Sequence, residues 1–82
     1  MIRLHVLYFG IVRERLGRRE EALEVADGTR VGDLLAQIEQ RHQQFGVAVA
    51  SVRVAVNSEY VDSGRVLSDN DEVAIIPPVS GG

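Results

Sequence analysis

The start of the chain shows two different periods of apolar residues. In "IRLHVLYF" (2–9), every second residue from Ile2 to Tyr8 is apolar. A period of two with β-branched and aromatic residues predicts a strand. The following "GIVRERLG" carries apolar residues at helical spacing, which predicts a short helix over 11–16 that ends at Gly17.

Four further segments have the period or the composition of strands. "EALEVA" (21–26) is predicted to form a hairpin with the first strand across a wide, charged connection. "SVRVAVN" (51–57) is followed by "SEYV" (58–61), which we expect to pair with it across an Asn57–Ser58 turn. "EVAIIP" (72–77) is the last strand, and it ends at the prolines because they lack the amide proton that a sheet needs.

The segment between the hairpin and the third strand predicts the one long helix. Its apolar residues recur every three to four positions, and Gly46 is expected to end the run. Arg30 then falls at the cap position, which arginine fills poorly. Asp33, in the first turn, complements the helix dipole. The apolar stripe consists of Val31, Leu34, Leu35, Ile38, His42 and Phe45.

The order of these elements predicts an α+β fold of the ubiquitin-like β-grasp type. A hairpin, a helix and further strands place one main helix across one face of a mixed sheet. We expect the last strand to lie beside the first and parallel to it. Val66 and Leu67 are expected to reach the core from the preceding loop. In this interpretation residues 1–76 form the β-grasp domain, and residues 77–82 form an extended C-terminal Gly-Gly tail.

The composition excludes several classes of function. The chain has no cysteine, which excludes disulfides, thiolate metal sites and thiol nucleophiles. Its net charge of −3 argues against nucleic-acid binding, and neither a signal peptide nor a membrane span is recognisable. We therefore expect a cytoplasmic protein. All 9 basic residues are arginines, so no lysine side chain is available for acylation.

No catalytic or metal-binding constellation is recognisable within the domain. His5 and His42 have no further ligands at metal-binding spacing, so we expect structural roles for both. The acidic run "SDNDE" (68–72) is too short for a calcium loop. It predicts a solvated turn with Asn70 in the left-handed conformation. The arginines between 13 and 19 form a basic patch, which is either a solvated face or a docking surface for an acidic partner.

The ending "PPVSGG" (77–82) differs from an ordinary frayed terminus. Pro77 and Pro78 hold the chain extended, and six extended residues reach about 20 Å. Gly81 and Gly82 lack Cβ atoms, which permits close approach to the walls of a partner's pocket. A terminal glycine carboxylate is also the least hindered acyl group that a polypeptide offers. Once adenylated by ATP on a partner enzyme, it can pass to a sulfur or an amine nucleophile, so the tail is the predicted reactive part.

Four stretches of the sequence resemble the MoaD family, the small, sulfur-carrying subunits of molybdopterin synthase. They are "LYFGIVRERLG", "TRVGDLL", "VAVNSEYV" and "LSDNDEVAIIPPVSGG", and the resemblance covers essentially the whole chain. The ending is the most specific, and it favours this family over the ThiS carriers of thiamine synthesis, which also end in Gly-Gly. The sequence departs from the family at Asn70, where glycine is usual, and at Arg30, where a capping threonine is common.

The resemblance implies a function for the tail. A MoeB-like adenylating enzyme would use ATP to activate Gly82, and a sulfur donor system would convert it to a thiocarboxylate. The tail would then enter a MoaE-like large subunit and donate sulfur to cyclic pyranopterin monophosphate, which builds the dithiolene of molybdopterin. Catalytic side chains would belong to the large subunit, and this chain would bind no cofactor of its own.

The resemblance also implies which residues bind the partners. Gly81 would allow threading, the four residues before it would form the inserted arm, and exposed apolar residues near the last strand would dock the large subunit. The expected partner-binding residues are Gly81, Ser80, Val79, Pro78, Pro77, Ile76, Ile75 and Phe9, with Ile75 and Ile76 as alternatives.

Three other functions remain open on the sequence. A ubiquitin-related modifier would use the same activated tail to acylate lysines of target proteins. A ThiS-like carrier would donate sulfur to thiazole synthesis. A β-grasp module that only binds its partners would keep its function without Gly81 and Gly82.

Overall fold

The computed structural model describes residues 1–78, in which a five-stranded mixed sheet carries one main helix across one face. Two short 3₁₀ turns lie between the main helix and the third strand. The elements are β1 (Ile2–Tyr8), α1 (Gly10–Leu16), β2 (Glu20–Val25), α2 (Val31–Arg41), the 3₁₀ turns Gln43–Phe45 and Val49–Ser51, β3 (Arg53–Val56), β4 (Glu59–Val61) and β5 (Glu72–Ile76).

The strands lie in the order β2-β1-β5-β3-β4. β1 pairs antiparallel with β2 and parallel with β5, and β3 pairs antiparallel with both β5 and β4. The predicted hairpin, the predicted parallel pairing of the first and last strands and the β-grasp class are therefore confirmed. The chain reaches its last described residues from β5, which lies in the centre of the sheet.

The core lies between α2 and the sheet face that it covers. Leu4, Val6 and Tyr8 alternate along β1 and are almost completely buried in this core. From the helical layer, Ile38 and Phe45 meet them and have no exposed surface. Within residues 1–78, no helix has both the length and the apolar character needed to cross a bilayer.

α2 begins at Val31 without a side-chain cap, in agreement with the poor capping residue before it. The amide of Val31 donates instead to the carbonyl of Arg65 at 2.9 Å. The Asp33 carboxylate accepts a hydrogen bond from the amide of Arg30 at 3.1 Å. The amide of Gly32, one of the donors that a serine or threonine cap can serve, donates to the carbonyl of Ser63 at 2.9 Å, so the loop after β4 replaces the missing cap.

α2 ends at Arg41, earlier than the apolar stripe predicts. His42 has an extended backbone with φ −124° and ψ 94°, and Gln43–Phe45 form a separate 3₁₀ turn that ends at Gly46. Phe45 is nevertheless completely buried, because this turn brings its side chain back into the core. The predicted single helix up to Gly46 is therefore wrong, although the apolar positions within it are core positions.

The loop before β5 is held more tightly than its charges suggest. Leu67 is buried as predicted, whereas Val66 is 44% exposed, so that part of the prediction is wrong. Asp71 is buried rather than solvated, since its carboxylate accepts a hydrogen bond from the side-chain amide of Asn57 at 2.9 Å. Asn70 adopts the predicted left-handed conformation with φ 66°.

Candidate functional site

The predicted reactive tail follows the end of β5. Ile75 lies opposite the last residue of β1, and Ile76 lies opposite Arg53 of β3. The amide of Phe9 donates to the carbonyl of Ile75 at 3.3 Å. Both neighbouring strands therefore hold the last residues of β5. We call Ile76 and Pro77 the tail root.

Pro77 is buried against the turn that follows β1. A Cβ atom at Gly10 would lie 2.9 Å from the Cγ atom of Pro77, so a glycine leaves the room that the proline ring needs. Gly10 also has a φ of +56°, which other residues adopt only at a cost. Pro77 thus belongs to the folded body in this structure, and Pro78 is the first exposed residue of the predicted tail.

Four of the predicted site residues lie outside the described residues 1–78. They are Val79, Ser80, Gly81 and Gly82, and the roles predicted for them remain predictions. The described residues define the point at which this segment begins and the surfaces that surround it.

The sheet face opposite α2, which we call the open face, carries a row of apolar residues. Leu7, Ala74, Ala55 and Tyr60 are paired across β1, β5, β3 and β4 in that order, so their side chains share this face. Tyr60 is 66% exposed at the edge of the sheet. Ile76 lies on the same face, next to this row and at the tail root.

The three apolar residues that were predicted to dock a partner differ in their exposure to solvent. Phe9 is 43% exposed, and Ile76 is half-buried on the open face. Ile75 has no exposed surface, because alternation along β5 turns its side chain into the core. The expectation that Ile75 is exposed is therefore wrong, and of the two alternatives Ile76 is the accessible one.

Two arginines of the predicted basic patch lie in a cleft beside the end of β1. Arg13 and Arg19 line a cleft of about 490 Å³ together with Leu7, Tyr8, Phe9 and Glu20. Both arginines are exposed. This cleft combines apolar surface with two arginines and one glutamate, a net positive charge in a chain that is acidic as a whole.

A third arginine flanks the tail root from β3. Arg53 is exposed and lies opposite Ile76 in the sheet. Its guanidinium carbon is 5.7 Å from the centre of the Tyr60 ring, a cation–π geometry. The tail root therefore has a basic side chain beside it on β3, and arginine and tyrosine are residue types enriched at the energetic centres of protein interfaces.

Both histidines have structural partners, in agreement with the roles predicted for them. His5 Nε2 lies 3.1 Å from Glu20 Oε2 on the surface, and His42 Nε2 lies 3.1 Å from Glu21 Oε2. The Glu21 carboxylate also accepts a hydrogen bond from the Tyr8 hydroxyl at 2.6 Å. Among the described residues, no group of three or more His, Cys, Asp or Glu side chains is arranged to hold a metal ion.

Sequence reasoning misses the cluster around Glu21, although a signal for it exists. Glu21 shares one side of β2 with the core residues Leu23 and Val25, so continued alternation predicts a carboxylate at the core boundary. Burial raises the pKa of Glu21, but the hydrogen bonds from Tyr8 and His42 outweigh it and hold the pKa below its usual value. Burial and the bond to Glu21 together raise the pKa of the Tyr8 hydroxyl well above its usual value.

Comparison with known proteins gives full-length matches. A profile of the ThiS family matches residues 6–82. The molybdopterin synthase sulfur carrier subunit of Mycobacterium tuberculosis is 43% identical over an alignment that covers 100% of this chain and 100% of that protein. The protein of the same name from Chlamydomonas reinhardtii is also 43% identical, with 99% of this chain and 100% of that protein covered.

Solved structures with the same fold include proteins of two kinds. A Pyrococcus furiosus protein assigned as subunit 1 of molybdopterin converting factor has a TM-score of 0.83 and 36% identity, over 96% of this chain and 100% of that one. SAMP1 of Haloferax volcanii has a TM-score of 0.84 and 26% identity, over 98% and 99%. In the complex of subunits 1 and 2 of the Helicobacter pylori converting factor, the matching chain has a TM-score of 0.70 and 21% identity, over 99% and 100%, a likeness of fold alone.

The profile match and the full-length identity to named relatives agree with each other and with the fold. This chain therefore belongs to the ThiS family, and within it to the molybdopterin synthase sulfur carrier subunits.

Proposed function

We propose that this chain carries sulfur as a thiocarboxylate on Gly82 and donates it to cyclic pyranopterin monophosphate as the small subunit of a molybdopterin synthase. The names of relatives that are 43% identical along the whole chain support this function. The Gly-Gly ending supports it independently, since an unhindered terminal carboxylate is what such a carrier needs.

The chemistry starts from a poor electrophile. A glycine carboxylate resists attack until one of its oxygens becomes part of a leaving group, and adenylation with ATP by a MoeB-like enzyme would provide that. A sulfur donor then forms the C–S bond while the C–O bond to AMP breaks. In the synthase, sulfur bonds to the pterin precursor, and water breaks the C–S bond to glycine and returns the carboxylate.

The anchored tail root is the observation that carries this proposal. Because Pro77 packs against Gly10, the arm that can enter a partner starts at Pro78, and five extended residues reach about 17 Å. The domain can then remain outside the large subunit while the carboxylate reaches a buried active site. The catalytic side chains would accordingly belong to that subunit.

We assign the docking of a MoaE-like large subunit to the surface around the tail root. Phe9, Ile76 and Tyr60 offer apolar surface there, while Arg53 opposite Ile76 and Arg13 in the cleft with Phe9 add positive charge. Apolar centres with charged rims are typical of specific interfaces. The Helicobacter pylori protein of the same fold was solved as a complex of subunits 1 and 2.

A second candidate function has one observation in its favour. SAMP1 of Haloferax volcanii, which a second structure names small archaeal modifier protein 1, shares the fold at a TM-score of 0.84 and 26% identity. A modifier would transfer the same activated Gly82 acyl group to an amine of another protein rather than accept sulfur. The two functions therefore differ in the nucleophile that follows activation.

The experiment that tests the proposal is intact mass spectrometry of the chain after incubation with a MoeB-like enzyme, ATP and a sulfur donor. We expect a mass gain that corresponds to one oxygen replaced by sulfur. The matched control is the chain without Gly81 and Gly82, which should gain nothing. An unchanged mass, with an activating enzyme that is competent on another carrier, would contradict the proposal.

The sulfurated chain then distinguishes the carrier functions. Mixed with a MoaE-like subunit and cyclic pyranopterin monophosphate, it should yield molybdopterin and return to its starting mass. Transfer only in a thiazole-forming system would identify a ThiS-like carrier. Amide-linked conjugates to lysines of other proteins would identify a modifier.

A further inference from the structure

A groove opens beside β4, the strand at one edge of the sheet. It has a volume of about 680 Å³ and lies between the first turns of α2, the 3₁₀ turn Val49–Ser51 and the edge of the sheet. We call it the edge groove. Because α2 supplies one of its walls, it lies on the opposite side of the sheet from the open face. Its apolar lining includes Val31, Leu35, Val49, Val52, Val54 and Val61.

The outer edge of β4 presents the main-chain groups of one residue. The amide of Asn57, directly after β3, donates to the carbonyl of Glu72 on β5 at 2.8 Å. Because hydrogen bonds alternate in direction along a strand, Val54 and Val56 face β4. The amide and carbonyl of Tyr60, which lies between their partners on β4, therefore point out of the sheet. Among residues 1–78 no further strand pairs there, and a free edge of this kind accepts an added strand.

A strand added to β4 would direct its side chains alternately to the two sides of the sheet. The residue opposite Tyr60 would share the open face with it, and the residues before and after would point to the α2 side. Neighbouring strands are about 4.8 Å apart, so these two side chains would lie beside Val61, over the edge groove. The apolar lining of the groove therefore favours two apolar residues separated by one other residue.

Positive charge meets the residue between the two apolar ones. The guanidinium carbon of Arg53 lies 5.7 Å from the centre of the Tyr60 ring, on the face to which the middle residue would point. None of the ion pairs among residues 1–78 involves Arg53. Asp62, the acidic residue of the groove lining, accepts a hydrogen bond from the amide of Gly64 at 2.9 Å within its own loop. A carboxylate in the middle of the added segment would therefore complement Arg53.

A second copy of this chain would fill the edge groove poorly. If its β4 were added at Tyr60, Glu59 and Val61 of that copy would both point to the groove side, since they flank its own outward residue. A carboxylate would then be buried among apolar side chains, which is costly. The other edge strand, β2, has Leu23 and Val25 buried in its own core. The geometry therefore favours a segment of another protein.

We propose that β4 and the edge groove form a docking site for an extended segment of a partner protein, in which an acidic residue stands between two apolar residues. The segment adds a strand to β4 through the main chain of Tyr60. Its apolar side chains enter the groove, and its carboxylate meets Arg53. The inference goes beyond the proposed sulfur transfer and does not depend on Gly82.

The probe is the acetylated and amidated heptapeptide Gly-Thr-Val-Glu-Val-Thr-Gly, titrated into the isotopically labelled chain and followed by NMR. We expect saturable shifts of the Leu35, Val49 and Val61 amides, slower hydrogen exchange of the Tyr60 amide and a Kd on the order of 1 mM. Replacement of the central Glu of the peptide by Lys should weaken binding about two- to fivefold, the range of cross-strand charge pairs.

Two pairs of variants test the groove and the strand edge separately. Ala50→Arg places a long side chain in the groove and should abolish binding, whereas Ala48→Arg, exposed next to the same 3₁₀ turn but outside the groove lining, should leave it unchanged. Tyr60→Pro removes the outward amide and no hydrogen bond to β3. It should weaken binding about two- to tenfold more than Tyr60→Ala, which keeps that amide. Thermal unfolding of each variant shows whether the fold is retained.

Four results of the titrations would overturn the inference. They are absence of saturable shifts at the groove up to about 10 mM peptide, equal affinity for the Glu and Lys peptides, equal binding by Ala50→Arg and Ala48→Arg, and equal binding by Tyr60→Pro and Tyr60→Ala. Sedimentation of the chain alone as a dimer that Ala50→Arg dissociates would identify a second copy as the occupant and would also overturn it. Failure of the proposed carrier function would appear separately, as absence of sulfur exchange in the enzymatic reaction.

Discussion

Substitution of Gly10 by alanine tests whether the tail root is locked to the domain. The added Cβ atom would lie 2.9 Å from the Cγ atom of Pro77, closer than carbon atoms approach in well-packed proteins. Alanine would also have to adopt the φ of +56° that glycine adopts here. Gly10→Ala should therefore destabilise the fold through two separable effects, one in the backbone and one in packing.

The size of each effect can be estimated from its cause. A left-handed conformation costs a residue with a Cβ atom about 1–2 kcal/mol, and overpacking of a tight contact costs about 1–3 kcal/mol. Gly17→Ala is the matched control, since Gly17 has a φ of +68° but has no atom within 4 Å of an added Cβ. It should lose only the backbone contribution. The free energy of unfolding of an 82-residue domain is about 4–12 kcal/mol, so the difference is measurable.

Urea unfolding and thermal melts of both variants give the comparison, since each kcal/mol lowers the Tm of such a domain by about 4–8 °C. Gly10→Ala should lose about 1–3 kcal/mol more than Gly17→Ala. Addition of Pro77→Ala to Gly10→Ala should recover that difference, because the double variant removes the clashing ring atom. Equal losses in Gly10→Ala and Gly17→Ala, or strictly additive effects with Pro77→Ala, would refute the lock.

Three further predictions concern the partly buried Glu21 carboxylate, the docking surface and a turn. The pKa of Glu21 is lowered in the folded state, so its carboxylate stabilises the fold above the ordinary pKa of about 4.3 and loses this effect as the pH falls through the lowered value. Glu21→Gln should lower the free energy of unfolding by about 1–3 kcal/mol at neutral pH and should make it fall less steeply below about pH 5. If urea unfolding shows the same pH dependence of stability in the variant and the wild type, the prediction is contradicted. Ile76→Asp should weaken binding of a MoaE-like subunit at least about tenfold in calorimetry. The control is Ala22→Asp, because Ala22 is exposed on the same face but lies on β2, and it should leave binding unchanged. Equal effects of the two substitutions would show that Ile76 is not part of the interface. Asn70 has a φ of 66°, so Asn70→Gly should leave the free energy of unfolding unchanged or raise it by up to about 1 kcal/mol. Asn70→Ala should lower it by about 1 kcal/mol. An alanine variant more stable than the glycine variant in urea unfolding would contradict this conformational argument.

The sheet could be predicted because each strand carries its own local signal. Val54 and Val56 alternate with less apolar neighbours, and the turn after them uses Asn57 and Ser58 at φ 50° and 72°, the left-handed conformations that such two-residue turns require. The parallel pairing of the first and last strands follows from the order of elements rather than from any single residue. Strand pattern and topology thus sufficed for the β-grasp architecture.

Local pattern fails where the decisive partner lies far along the sequence. Asp71 is buried because Asn57, 14 residues away, supplies a hydrogen-bond donor. Pro77 joins the body because Gly10, at the other end of the chain, leaves space for its ring. The main helix ends before His42, although neither a glycine nor a proline marks that position in the sequence. A 3₁₀ turn then brings Phe45 into the core that the helix also covers. The spacing of apolar residues alone therefore predicts a solvated Asp71, a Pro77 that belongs to the tail and one helix up to Gly46.

One part of the candidate site could be predicted from the sequence, and the other part could not. The reactive role of Gly82 was predicted from the ending of the sequence and from family resemblance, and no described contact bears on it. The surroundings of the tail root required the structure, because alternation alone does not say which of Ile75 and Ile76 faces α2. The register with β1 decides this, since Ile75 lies opposite the core residue Tyr8.

An anchored root and a short arm have a joint consequence for sulfur transfer. Because β5 is a central strand and Pro77 packs against Gly10, the domain sets the point at which the arm begins, and docking of the domain would set that point relative to the partner. An arm of five residues can compensate for only a small error in the docking position of the domain. A misplacement of about 1 Å at a reacting group can lower the rate about a hundredfold. In the proposed complex, the surface formed by Phe9, Ile76 and Arg53 would therefore do more than hold two subunits together: it would set the depth at which the C-terminal carbon meets its reaction partner.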